Sequence, residues 1–314
     1  MKKDIMFHKF ALYGFLKNLR FFEPFMILFF RDGGLSFLQI GLLYSVRDLA
    51  TNVLEVPTGV YADAFGRRKS MIMAFIAYIV SFIIFYRFSN FYIYGLAMLF
   101  FAFGDAFRSG THKALILEHL KINQMENIKV EYYGRTRAAS QLGSAVNSLI
   151  AAALVFCTGN YRYIFIASTV PYILDLINLT TYPKELDGEL IRLQEGAISK
   201  QFKTTLKTFF AIFRDPTAMR AILNSSSFVG FFKATKEYLQ PILKTFAIAL
   251  PIFVVLDATK RSAVIIGIVY FVIYLLTSYA SRSAARFEKR FESLSRAINL
   301  TFLVGAVFLL IAGI

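Results

Sequence analysis

Lys17, Arg20 and Glu23 recur at intervals of three inside an otherwise apolar run. Arg47 and Asp48 stand side by side within a second such run, with Glu55 further on, and Lys233, Lys236 and Glu237 cluster within a third. An ionisable group near the centre of a bilayer costs at least about 2.5–3.5 kcal/mol on insertion scales, so each marks a functional site by default. The cations Lys17, Arg20, Arg47, Lys233 and Lys236 outnumber the acids Glu23, Asp48 and Glu237. That balance suits an anionic solute held by the cations, with a carboxylate left to carry a proton. Helical spacing puts Lys17, Arg20 and Glu23 on adjacent parts of one face, and Lys233 and Glu237 at the i,i+4 separation of an ion pair. The plainer alternative is salt bridging that fixes helix packing. Polar contacts between membrane helices average only about 0.6 kcal/mol, too little to account for so many charges.

The elements that must position these groups follow from composition. Of 314 residues 57% are hydrophobic and only 18% charged, against about 45–50% and a quarter in soluble domains. Apolar windows of helical length run over 9–31, 37–61, 70–88, 92–112, 136–157, 163–182, 217–245, 263–281 and 294–314, which predicts an all-α polytopic transmembrane bundle. Turns as short as Ser89-Asn90 and Gly159-Asn160 make neighbours antiparallel. The first span, broken by Lys17 and Arg20 with no cleavage site after it, does not read as a signal peptide. The single Cys157 excludes an intramolecular disulfide framework. The 35 Phe and 17 Tyr read mainly as lipid-facing and interfacial packing.

The net charge of +15 reports orientation rather than nucleic-acid binding. With the N-terminus inside, 22 of the 35 Lys and Arg fall in segments facing the cytoplasm and 6 in segments facing out. An integral protein of the plasma (bacterial inner) membrane with a cytoplasmic N-terminus follows. The long polar stretch 183–214 divides a six-helix bundle, 1–182, from a three-helix one, 215–314. Within it Phe202, Leu206, Phe209, Phe210 and Phe213 recur at three- and four-residue spacing between basic residues, the pattern of an amphipathic helix on the inner leaflet; a plain lead-in to the next span fits equally.

Between the second and third spans stands Gly59-Val60-Tyr61-Ala62-Asp63-Ala64-Phe65-Gly66-Arg67-Arg68-Lys69. This resembles the G-x-x-x-D-x-x-G-R-[RK] loop of the major facilitator superfamily, in the expected inner loop. Gly59 would permit close helix approach and Gly66 a tight turn. A degenerate echo, Ser281 to Arg290, follows the eighth span, with Ala285 in place of the Asp and Glu288 in place of the second Gly. Six helices, a basic linker and further helices are that family's plan. The resemblance implies a secondary active transporter working by alternating access, whose partners are the bilayer, a small-molecule substrate and protons. In the family the first and seventh helices occupy equivalent positions and line the central cavity. The family has twelve spans and nine are legible here, so the second half is expected as an incomplete set of three. A non-transporting fragment or scaffold with a decayed transporter fold is the alternative that this shortfall raises.

Gly59, Asp63, Gly66, Arg67 and Arg68 would form the gating motif, joined by Asp105 and Arg108 of the fourth span in one charge network. The fifth span lacks the Gly-Pro…Gly-Gly signature of the family's drug/proton antiporters, which weighs against drug efflux. Pro24, Pro57 and Pro171 are expected to kink their helices. His112 and His119, near Glu118, could reach a zinc ion but read better as solvated loop histidines. No metal, no cofactor and no catalytic constellation is expected, and the oligomeric state is open.

Overall fold

The structure, a computed structural model, describes residues 4–188, 203, 204, 207, 215–252, 254–288 and 294–312. Among them regular structure is entirely helical: α1 Ile5–Lys17, α2 Met26–Asp32, α3 Phe37–Phe65, α4 Arg67–Arg87, α5 Phe91–Arg108, α6 Thr111–Ile122, α7 Lys129–Thr158, α8 Tyr163–Thr180, α9 Pro216–Ala249, α10 Ala258–Glu288 and α11 Leu294–Ala312. Most of the linker, where the amphipathic helix is expected, lies outside the described residues. So do the side chains of the loop echo at 281–290.

By length and composition α4, the run Phe91–Ile122, α7 from Glu131, α8, and α10 as far as Ala280 can each cross a bilayer. Helices α3 and α9 are as long but interrupted by charge, and they line the central cavity. The outward surface is apolar. On α8, Val170, Ile173, Leu174 and Ile177 are exposed while Ser168, Tyr172, Asp175 and Asn178 are buried. Polar residues inside and aliphatic ones outside is the pattern that a lipid solvent selects.

The first predicted span is not one helix. Helix α1 ends at Lys17, where the Asn18 side chain donates to the Gly14 carbonyl (2.6 Å), and a single 3-10 turn at Glu23–Phe25 precedes α2. Pro24 lacks an N–H and disfavours helix at the residue before it, so the expected kink becomes a break. Backbone groups freed at membrane depth need partners, and the buried Gln240 of α9 supplies two. Its amide oxygen accepts from the Ile27 N–H and its nitrogen donates to the Glu23 carbonyl, both at 2.9 Å. By contrast, α3 and α8 run through Pro57 and Pro171 as continuous helices.

The expectation for the aromatic residues is overturned. Phe22, Phe29, Phe82, Phe85, Phe165, Tyr78, Tyr94 and Tyr172 are buried where α2, α4, α5 and α8 meet. Phe22 stacks on Phe165 with centroids 5.6 Å apart, and Tyr172 meets Phe82 edge-on at 4.9 Å. Rings fill this core because they bury large apolar area and offer hydroxyls to the charges beyond it. The histidines are not solvated either. His112 stacks on Tyr13 at 3.6 Å, and the buried His119 lies 2.8 Å from Asp4, because α6 folds back against the start of α1.

Helix α7 is gripped on two sides at backbone distance. A Cβ on Gly143 would stand 2.5 Å from the Phe15 carbonyl oxygen of α1, and one on Gly267 of α10 would overlap the Ala152 Cβ. Nothing lies within 4 Å of a Cβ on Gly134 in the same helix. Gly143→Ala should therefore destabilise by about 1–3 kcal/mol through overpacking, while Gly134→Ala should gain up to about 1 kcal/mol in helix propensity. Thermal unfolding of the two variants in detergent measures the opposite signs; equal effects would deny the close approach.

Ahead of the first span, Asp4 caps α1 by accepting from the Phe7 N–H (2.5 Å) and also meets His119 and the Tyr132 hydroxyl (3.2 Å). Burial pushes its carboxyl up, but the Phe7 amide and His119 outweigh it and hold the group below the usual carboxylate range. A depressed folded value stabilises above the unfolded value, about 3.9, and that stability is lost as pH falls through the folded one. Hydrogen exchange at Phe7 and His8 should accelerate below about pH 4 in the natural chain, and show no such step in Asp4→Ala.

Candidate functional site

A cavity of about 660 Å³ opens where the α1–α2 break faces α3, α5 and α9. Arg20, Glu23, Arg47, Asp48, Lys233, Lys236 and Glu237, all predicted site residues, line it, together with Tyr44, Thr51, Asn52, Glu55, Asp105 and Arg108. Lys17 does not. The helix has ended there, so Lys17 and Arg20 no longer share a face, and Lys17 lines a second cavity on the other side of α1. With Lys17 outside and Glu55 and Asp105 inside, the expected cation excess disappears. Arg20, Arg47, Arg108, Lys233 and Lys236 face Glu23, Asp48, Glu55, Asp105 and Glu237.

The ion pairs cross between helices. Lys236 Nζ sits 2.7 Å from Glu23 Oε1, joining α9 to the break, and Lys233 Nζ sits 2.6 Å from Asp48 Oδ2, joining α9 to α3. Arg47 shares Asp48 at 2.9 Å and lies over the Tyr44 ring. The expected Lys233–Glu237 pair within α9 does not form, because each lysine finds a carboxylate across the cavity. Glu237 instead accepts from the Tyr44 hydroxyl (3.2 Å) and Gln240 (3.3 Å), with no cation in ion-pair range among the described residues.

A second cluster occupies the α5 side. Arg108 Nε donates to the Tyr78 hydroxyl (3.0 Å), which donates to Asp105 Oδ1 (2.5 Å), and Arg108 also meets Asp105 at 3.2 Å. Arg20 donates from Nε to the Tyr172 hydroxyl (3.0 Å) and approaches Asp105 at 3.9 Å. Asp105 and Arg108 thus belong to the cavity and not to a network with the 59–69 loop, a correction that follows from the inward turn of α5 facing Tyr78.

The loop makes its own contacts. Gly66 has φ +106°, and the Asp187 carboxylate fills the place a Cβ would take. Asp187 accepts from the Arg68 N–H at 2.7 Å, Arg68 donates to the Tyr182 carbonyl at 2.9 Å, and Arg67 pairs with Glu118 at 3.4 Å. Asp63 is exposed and has no ion pair among the described residues. Gly59 meets no neighbour within 4 Å, so the close approach expected there is absent.

Sequence reasoning passed over Gln240, Tyr44, Tyr78, Tyr172 and Asp175. The tyrosines were hidden in a crowd of aromatics. Asp175 carried a usable signal, a lone acid within the sixth span. It is fully buried, with Asn178 donating to one oxygen (3.3 Å) and the other without a hydrogen-bond partner.

Apolar-faced helices enclosing a charge-lined central cavity, with a broken helix at its wall, define an integral membrane protein of transporter architecture. The family model of the Major Facilitator Superfamily matches residues 11–314, and the chain belongs to that superfamily. An uncharacterized MFS-type transporter of Bacillus subtilis (strain 168), YxaM, is 36% identical over 90 residues. Those residues are 29% of this chain and span 23% of that relative. Among solved structures, the nucleoside transporter NupG superposes with TM-score 0.64 at 14% identity, covering 89% of this chain and 68% of that one. A D-xylose-proton symporter gives 0.58 at 15% identity, covering 90% and 69%. At such identities the likeness is one of fold.

Removing one member of a cross-cavity pair should cost more than removing both. Lys236→Met is expected to lower stability by on the order of 1–3 kcal/mol, between the ~0.6 of ordinary membrane polar contacts and the 3–5 of a broken buried pair. Lys236→Met with Glu23→Gln should recover most of that loss in detergent thermal melts. A double variant as unstable as the single would place the cost elsewhere.

Proposed function

We propose that the chain acts as a secondary active transporter that moves a small polar solute bearing an anionic group, by alternating access and with proton coupling. The observation that carries this is the pair of lysines on α9, each tied across the cavity to a carboxylate, one on α3 and one on the α1–α2 break. An incoming anionic group competes with Glu23 for Lys236, or with Asp48 for Lys233. The displaced carboxylate, parted from its cation inside the bundle, takes up a proton rather than remain charged without a partner. Arg20, already anchored by Tyr172, supplies a second hold on the solute. Solute and proton then leave together when the pair re-forms on the other side. Glu237, which has no cation partner among the described residues, is a further proton site.

The charge bias of the connections supports a cytoplasmic location for the N-terminus and for the Arg67–Lys69 loop. On this reading 1–182 and 215–314 are the moving parts, joined by the 183–214 linker. The Gly66–Asp187 contact then ties the loop to the start of that linker.

Proteoliposomes carrying the chain, given an inward pH gradient and a panel of small carboxylates, sugar phosphates and nucleosides, test the proposal. At least one solute should be accumulated. Arg20→Gln and Lys236→Gln should abolish the uptake with expression unchanged. Glu23→Gln should keep solute exchange but lose accumulation against a gradient. Normal transport by Arg20→Gln would rule out the central site.

A further inference from the structure

The second cavity, about 350 Å³, lies between α1, α6 and α7. Lys17, Arg108, Lys113 and Arg137 contribute to its wall, and among the described residues no carboxylate does. Ser140, Gln141 and Ser144 of α7 add hydroxyl and amide groups, and Gly110 and His112 bring the first turn of α6 to the same wall. Arg108 is the residue that lines both cavities. Its Nε and one Nη are committed to Tyr78 and Asp105 on the central side. Among the described residues Lys17, Lys113 and Arg137 have no carboxylate within ion-pair distance, and Lys113 lies over the Tyr133 ring at 5.7 Å.

This contrasts with the central cavity, where most cations have a carboxylate in contact. A half-buried lysine at membrane depth with no ion pair among the described residues, facing two more such cations and a row of hydroxyls, is arranged for a negative charge. Neutral hydroxyls beside cations favour a compact oxyanion, which accepts hydrogen bonds on several oxygens at once. Of these three, Lys17 stands at the α1 break; Lys113 and Arg137 are exposed. The gradient of cations therefore runs from the surface inward.

We propose that this cavity is an oxyanion site, for a phosphate or carboxylate group, distinct from the central cavity and held by Lys17 with Lys113 and Arg137. It goes beyond the transport reading and does not require it. The group comes either from a small solute or from an anionic lipid headgroup.

Equilibrium binding of radiolabelled inorganic phosphate to the purified chain in nanodiscs of zwitterionic lipid tests it. Saturable binding is expected, weakened at least tenfold by Lys17→Gln and by Arg137→Gln. Lys17→Arg should hold within threefold, as should Lys260→Gln, which removes one positive charge far from the cavity. Nanodiscs containing phosphatidic acid separate the sources: competition with phosphate identifies a headgroup, its absence a free solute, and either upholds the site. Absence of saturable binding overturns the proposal, and so does equal loss in Lys17→Gln and Lys260→Gln. Should Lys17→Gln fail to give monodisperse protein, Lys113→Gln and Arg137→Gln carry the same test from exposed positions.

Discussion

A break in a membrane helix has to be hydrogen-bonded by something, and here that something is Gln240. Its two bonds to the Ile27 amide and the Glu23 carbonyl satisfy backbone that Pro24 has freed. Beside them the Lys236–Glu23 pair closes over the same turn. The break redirects Arg20 and Glu23 into the central cavity and leaves Lys17 behind on the opposite side of α1. The charge balance of both cavities follows from that one interruption. Had α1 continued through residue 25, all three charges would crowd one face, the central cavity would hold one more cation than acids, and the α6–α7 side would lose Lys17 and keep only Arg108 among its inner cations.

On the proposed reading, transport is a matter of pairing as well as placement. Charged residues at membrane depth are tolerated because they meet partners from other helices, and partners that can be exchanged are useful where fixed ones are merely structural. In the central cavity the lysines of α9 reach carboxylates on α3 and on the break, across the space a solute would occupy. In the Tyr78–Asp105–Arg108 cluster, short bonds within α4 and α5 fix the guanidinium instead. The two groups thus divide the work, one yielding and one rigid.

Much of this was legible in the chain. The helical class, the loop around Gly66 and the charged spans could be read directly, because apolar length and intramembrane charge are local properties. Partner choice was not. Lys233 and Glu237 have the spacing of a pair, yet tertiary contacts with Asp48 and Tyr44 outcompete that local option. Asp105 and Arg108 look like part of the inner loop by position, but which way their turn of helix faces depends on Tyr78 of α4, 27 residues before Asp105. Glutamine 240 is invisible beforehand: an amide in a long helix announces nothing until a broken backbone is found opposite it. The aromatic core was misjudged because composition counts rings without saying which side of a helix they occupy.

Within six residues the chain between α1 and α2 carries a guanidinium tethered to Tyr172 of α8 and a carboxylate tethered to Lys236 of α9. The two ends of one short, non-helical strap are thus fastened to different helices. If α9 slides while α8 stays, the strap must either stretch, rotate about Pro24, or let go of one fastening. The Glu23 N–H to Arg20 carbonyl hydrogen bond closes the turn between the two fastenings, so a displacement of α9 against α8 would load that one backbone bond first.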